Sequence, residues 1–304
     1  MHILLVGPGA LGCLLSSVVT KGLATTGDQL TLLDYNRARA EYLAVQGIIY
    51  EVGGESCSVP VAVISNPQLA RPVDAILLCV KSYDVVASLA FCRPLLGKTT
   101  LVVFLQNGIS HLAMRPHLGE ATAAFGTTTE GATLLGRGHV RHAGRGGTSL
   151  GFLDKADATA TRLLAKVHAV FAAGGLQVEC TANILARIWA KLFINVGINA
   201  LTATLACTNG ELLTLPGIER RMQCAVLEAK QVALAEGIAI TGDPLEATRT
   251  VCRKTAENIS SMLQDVRNHR RTEIEAINGA IVAKGLDLGI KTPENSLLCR
   301  QVKE

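Results

Sequence analysis

The sequence predicts an α/β fold followed by an all-α C-terminal domain. Three observations carry this: strand and helix periods alternate through the first 180 residues, a glycine-rich turn joins the first strand to the first helix, and only long helical periods follow. The alternation predicts a doubly wound sheet of parallel strands over residues 1–180, with ligands at the carboxyl ends of its strands. The change of period sets a second, helical domain over residues 181–304.

The first strand, residues 2–6, runs into Gly7-Pro8-Gly9-Ala10-Leu11-Gly12. This G-x-G-x-x-G lies between a strand and a helix, the context in which it binds dinucleotides. Gly7 allows the tight turn, Gly9 lets the backbone approach a pyrophosphate, and Gly12 lets the helix pack close to the sheet. An ordinary strand-to-helix turn is the plainer alternative, which the context disfavours. Further strands are expected at 30–34, 59–64, 75–81, 101–106, 122–127 and 148–152, and helices at 11–20, 37–46, 83–93 and 157–173. The glycine-rich, basic stretch 131–147 reads as a hairpin closing this domain.

Helices are expected beyond the boundary at about 183–205, 217–236, 245–264 and 272–285. The last has a start signal, Thr272-x-x-Glu275, that reads as a capping box.

The chain has 304 residues, 49% of them hydrophobic and 18% charged, which suits large cores and excludes disorder. A net charge of +4 without an aromatic-laced basic run makes a nucleic-acid partner a poor expectation. The nine cysteines form no C-x-x-C pair and read as buried thiols in a reducing compartment, with no metal site. The N-terminus lacks a signal-peptide pattern, and the most apolar stretch, 184–206, carries Lys191, Asn195 and Asn199. A soluble cytoplasmic protein without a membrane partner is therefore expected.

Several polar residues fall where chemistry is expected. Asp34 ends the second strand, where an acidic residue bonds the ribose 2′-hydroxyl of NAD; Arg37 and Arg39 nearby leave NADP open. Lys81 and Gln106-Asn107-Gly108 punctuate two strand ends, as a solvent-facing terminus and an ordinary turn would also do. Lys191, Asn195 and Asn199 recur at i, i+4 and i+8 on an otherwise apolar helix. They line a substrate site, or the lysine snorkels outward while the asparagines bond loops. Asn258 and Ser261 are expected as i, i+3 neighbours on a helix. Glu273 sits in a first helical turn, where the macrodipole alone would also place a carboxylate, and Glu275 reads as the capping partner.

Taken together, GPGALG at 7–12, VKS at 80–82, QNG at 106–108, the text from Trp189 through Leu205, Asn209-Gly210, SSMLQDV at 260–266, TEIEAING at 272–279 and GIKTPEN at 289–295 resemble the ketopantoate reductase family over nearly the whole chain. The resemblance implies a Rossmann-type sheet domain followed by a helical one, and reduction of 2-dehydropantoate to (R)-pantoate on the route to pantothenate and coenzyme A. It implies Lys191 as the catalytic lysine and general acid, with Glu273 assisting. Asn107, Asn195, Asn199, Asn209, Asn258 and Ser261 would bind substrate. Gly7, Pro8, Gly9, Ala10, Leu11, Gly12, Asp34, Arg37, Lys81 and Asn107 would serve the cofactor, which is NADPH by family expectation. Many relatives carry an arginine directly after the second strand, whereas this chain reads Leu33-Asp34-Tyr35-Asn36-Arg37, which leaves NADH open. The partner implied is a small 2-keto acid, and a homodimer is left open. The alternatives are a reductase of another 2-keto acid on the same fold, and a non-catalytic dinucleotide sensor.

Overall fold

The computed structural model describes residues 1–24, 27–70 and 72–304, and the chain divides into two compact units. The first contains residues 1–106 and 111–184; the second contains 107–110 and 185–304. The division expected after residue 180 thus lies after 184, and a four-residue piece carrying Asn107 clusters with the helical unit.

The first unit contains strands β1 (His2–Val6), β2 (Gln29–Leu33), β3 (Ile48–Val52), β4 (Glu55–Val59), β5 (Ala62–Ile64), β6 (Ala75–Leu78), β7 (Leu101–Phe104), β8 (Thr122–Thr128), β9 (Gly131–Gly136), β10 (His139–Gly144), β11 (Gly147–Gly151) and β12 (Gln177–Cys180). Its helices are α1 (Ala10–Gly22), α2 (Arg37–Gln46), α3 (Val85–Phe91) and α4 (Ala158–Ala173). Eight strands form one sheet in the order β12-β11-β8-β7-β6-β1-β2-β5. The six from β8 to β5 are parallel and the order reverses between β1 and β6, which makes a topological switch point. β11 returns antiparallel to β8, so the sheet is mixed at that end. The β6 and β7 sequences AILL and LVVF are buried throughout, as strands covered on both faces require.

A second sheet, β4-β3-β10-β9, was not expected from the sequence beyond the β9–β10 hairpin. The stretch expected as one strand at 59–64 is split between two sheets, because β4 turns back on β3 while β5 pairs with β2. The small sheet packs against α1.

The second unit carries α5 (Ile184–Leu205), α6 (Ile218–Ala235), α7 (Pro244–Lys254), α8 (Ser261–Arg267), α9 (Asn278–Asp287) and α10 (Pro293–Lys303). The helix expected at 245–264 is two. Residues 255–258 leave the helical path, where the carbonyls of Ala256 and Asn258 accept from the backbone N–H groups of Gly210 and Asn209, and Ser260 caps α8 through Leu263 N–H. Asn258 and Ser261 are therefore not neighbours on one helix. The helix expected from 272 begins only at Asn278, after a short 3-10 turn at Ile274–Ala276. The capping box does not form: Glu275 pairs with Lys303 on α10, and Thr272 Oγ1 accepts weakly from Ile274 N–H, at 3.4 Å.

Candidate active site

In the first unit the glycine turn has the shape an anion needs. Gly7 holds φ +96°, and a Cβ there would lie 2.6 Å from Val80 Cγ1. A Cβ at Gly12 would overlap the carbonyl oxygen of Gly7, whereas one at Gly9 would meet only open space. Open space at Gly9 is what close backbone approach by a pyrophosphate requires. α1 starts at Ala10 with no side-chain cap and no acidic residue in its first turn, so its N–H groups and positive dipole end remain for an anion. These residues fit the pyrophosphate of a nicotinamide dinucleotide.

Asp34 follows β2 and is buried, and its carboxylate is already engaged. Arg39 grips both oxygens, Nε on Oδ2 and Nη2 on Oδ1 at 2.8 Å, and Asn36 N–H adds 3.0 Å to Oδ1. The arginine that reaches Asp34 is thus Arg39, in the first turn of α2 capped by Asn36. Arg37 points away, exposed and paired with Glu41 at 2.8 Å. The carboxylate beside Arg39 and the hydrogen bond between them hold that guanidinium firmly charged. Lys81 is partly buried where the chain leaves β6, and its carbonyl starts a 3-10 turn by accepting from Asp84 N–H. Gln106 donates to the carbonyls of Leu78 and Val80 at 2.8 and 3.1 Å, fastening the ends of β6 and β7 together.

In the second unit three of the expected residues form one polar line. Lys191 Nζ donates to Asn107 Oδ1 at 2.8 Å, and Asn107 Nδ2 donates to Glu273 Oε2 at 3.1 Å. Lys191 stands on α5 among Ile188, Trp189, Leu192 and Phe193, all buried. That apolar setting pulls the lysine down to about 8 against the opposing field of Glu273. Glu273 is itself buried, just ahead of the 3-10 turn. An ammonium that gives up its proton near neutral pH, held by an amide oxygen and backed by a carboxylate, can protonate a developing alkoxide.

Asn195 and Asn199 follow Lys191 on α5 at one-turn intervals, and neither side chain bonds another protein group among the described residues. Their amides are thus available to a substrate. Asn209 and Asn258 form a separate local pair: Asn209 N–H donates to the Asn258 carbonyl and Asn209 Nδ2 to Thr255 Oγ1 at 2.9 Å. Ser261 is exposed at the start of α8, while its neighbour Ser260 is buried and accepts from Thr202 of α5 at 2.7 Å. The sequence reading missed Ser260 as the cap, and the role of Arg39. An acidic residue five places before an arginine at a helix start was the available signal for the latter. Among the described residues no cluster of three His, Cys, Asp or Glu could hold a metal ion, and all nine cysteines are free.

Comparison with known proteins places the whole chain in one family. Residues 3–155 match the family model described as ketopantoate reductase PanE/ApbA, and residues 183–304 match its C-terminal counterpart. The chain is 35% identical over 296 residues to a 2-dehydropantoate 2-reductase of Halobacterium salinarum, covering 96% of this chain and 95% of that protein. It is 32% identical over 303 residues to the one of Pyrococcus horikoshii, covering 100% and 97%. Among solved structures, a PanE/ApbA family ketopantoate reductase from Ralstonia eutropha superposes with a TM-score of 0.89 at 31% identity, covering 100% of this chain and 97% of that one. A D-mandelate dehydrogenase solved with NADH and anilino(oxo)acetate gives 0.88 at 27% identity with the same coverage. With the glycine turn in one unit and the lysine line in the other, both halves matched by the family's own models, this chain belongs to the ketopantoate reductase family of NAD(P)H-dependent oxidoreductases.

Proposed function

We propose that this protein reduces 2-dehydropantoate to (R)-pantoate, serving pantothenate and coenzyme A synthesis, and that it prefers NADH. The line Lys191–Asn107–Glu273 carries the reading. A reduced nicotinamide, when bound, supplies a hydride to the ketone carbon. Lys191 then stabilises the charge growing on the ketone oxygen and delivers the proton. Asn107 fixes the direction of the ammonium by accepting from Nζ, and Glu273 keeps the lysine charged against its apolar surroundings. Asn195 and Asn199 offer neutral donors for the carboxylate and hydroxyl groups of the substrate. The nine free thiols support a reducing, cytoplasmic setting.

The preference for NADH is supported by the charge arrangement after β2. Arg39 is committed to the buried Asp34 by two bonds, while Arg37 is exposed and pairs with Glu41 at the surface. A 2′-phosphate would meet a buried carboxylate whose own arginine, Arg39, is held by two bonds, whereas a 2′-hydroxyl brings no charge. The likeness to a D-mandelate dehydrogenase favours a second reading, a bulkier 2-keto acid as substrate. Steady-state kinetics with 2-dehydropantoate and with phenylglyoxylate, each with NADH and NADPH, tests both. The highest kcat/KM is expected for 2-dehydropantoate with NADH. A higher value for phenylglyoxylate selects the second reading, and no turnover on either defeats both.

A further inference from the structure

Unit two contains a buried polar chain that the reaction does not touch. Asn278, the first residue of α9, is fully buried, and its Nδ2 donates both to the Val196 carbonyl in the middle of α5, at 3.2 Å, and to Asn295 Oδ1, at 3.0 Å. Asn295, also fully buried, donates through Nδ2 to Glu228 Oε2 at 2.8 Å and to the Ala225 carbonyl at 3.0 Å. Glu228 of α6 accepts in addition from the backbone N–H groups of Glu294 and Asn295, at 2.9 and 3.0 Å. It thereby caps α10 from outside, where Thr292 supplies no side-chain cap.

Two features make Asn278 more than packing. Its Oδ1 is buried with no hydrogen-bond partner, a loss an apolar side chain would not incur. Its position is also specific: Asn278 lies five residues after Glu273, and the carbonyl it grips lies five residues after Lys191. The segment between Glu273 and Asn278 includes Ala276, whose carbonyl accepts from Ile109 N–H at 3.1 Å, next to Asn107. Asn107 therefore joins lysine and carboxylate at one end of this frame, and Asn278 joins the segments that carry them at the other.

Resting on the proposed role of Lys191 as proton donor, we infer that Asn278 is a positioning residue for the reduction: its amide holds the Glu273-bearing turn in register with the lysine-bearing helix, acting through Val196 and without touching substrate. Misplacing a reacting group by about 1 Å costs on the order of a hundredfold, so the effect belongs in kcat. Substrate affinity, set by other side chains, stays.

The test is a double-mutant cycle of Asn278→Ala with Lys191→Ala, with Asn278→Ser as the milder companion should the alanine variant fold poorly. Rates are taken per dinucleotide-binding site, titrated by nicotinamide fluorescence, which removes any unfolded fraction. Asn278→Ala and Asn278→Ser are expected to lower kcat about tenfold or more, with KM for the keto acid within about twofold. On the Lys191→Ala background the further loss should be under about twofold, because the lysine to be positioned is gone. Undiminished kcat in a folded Asn278 variant, or an equal further loss on the Lys191→Ala background, overturns the inference. Full kcat in Lys191→Ala alone instead overturns the proposed function, and so separates the two failures.

Discussion

Gly108 lies directly under the carbonyl of Ala276. Its backbone holds φ +79°, and a Cβ there would overlap the Ala276 oxygen and approach the Ala276 Cβ to 3.0 Å. The neighbouring Ile109 N–H donates to the same carbonyl at 3.1 Å, so the Asn107-Gly108-Ile109 turn is clamped to the turn that follows Glu273. This close approach lets Asn107 reach Glu273 and Lys191 together.

Gly108→Ala would push that turn away and break the clamp. Both the positive φ and the overlap oppose the added methyl, a combination worth roughly 1–3 kcal/mol. The expected outcome is a folded but less stable enzyme that loses most of its kcat, with its affinity for dinucleotide lowered far less. Thermal unfolding, turnover and fluorescence titration of the dinucleotide measure the three quantities. Wild-type turnover in this variant would show that the clamp does not set the position of Asn107.

The pH dependence follows from Lys191. With Lys191 as the proposed proton donor, reduction needs the charged lysine and oxidation of the hydroxy acid the neutral one, and burial places the change at about 8. In the reductive direction kcat/KM should therefore fall as pH rises through about 8. In the oxidative direction it should rise through the same value. Glu273→Gln removes the negative field that holds the lysine up, so both limbs should move to lower pH. pH profiles measured in both directions check this, and limbs that stay in place would remove Glu273 from the proton balance.

The sequence made these candidate site groups legible for a physical reason. A lysine and two asparagines at one-turn spacing on an apolar helix leave polar groups that need an explanation, and a glycine turn between strand and helix has few other uses. The parallel strands were also readable, since β6 and β7 are unbroken apolar runs. The small sheet was not: β4 reads ESCSV, almost wholly exposed, without the alternation that marks a half-buried strand. The false capping box at Thr272 shows the same limit, because Glu275 pairs instead with Lys303, distant in sequence. Asn278 and Asn295 were hidden for a related reason, since a buried amide is recognised by its partners and its local sequence resembles any helix start.

Nucleotide choice should respond to Asp34. Replacing it with serine removes the carboxylate and frees Arg39, which at present spends two donors on it. The freed guanidinium, stationed near the Tyr35 ring 5.9 Å away, becomes available to a 2′-phosphate. Asp34→Ser is expected to shift the ratio of kcat/KM for NADPH over NADH upward by about tenfold, equivalent to ~1.4 kcal/mol. An unchanged ratio would mean that the pair does not face the ribose.

Stability should carry the opposite signature of catalysis at Lys191. Its folded value, about 8, lies below the ordinary 10.5, so between these two the unfolded chain binds more protons than the native one. Stability contributed by this site therefore rises as pH climbs from about 8 to 10.5, and below 8 the native state carries the full cost of a desolvated ammonium. That gap corresponds to at most about 3 kcal/mol, less whatever solvent reaches the partly buried side chain. Lys191→Met keeps the apolar stem and discards the charge. It should melt higher than the wild type at pH 7, with the advantage shrinking toward pH 10, while losing turnover. Denaturant titrations at pH 7 and pH 10 measure the difference. A methionine variant less stable than wild type at pH 7 would show that the hydrogen bond to Asn107 and the field of Glu273 outweigh desolvation, and that the lysine is a structural asset.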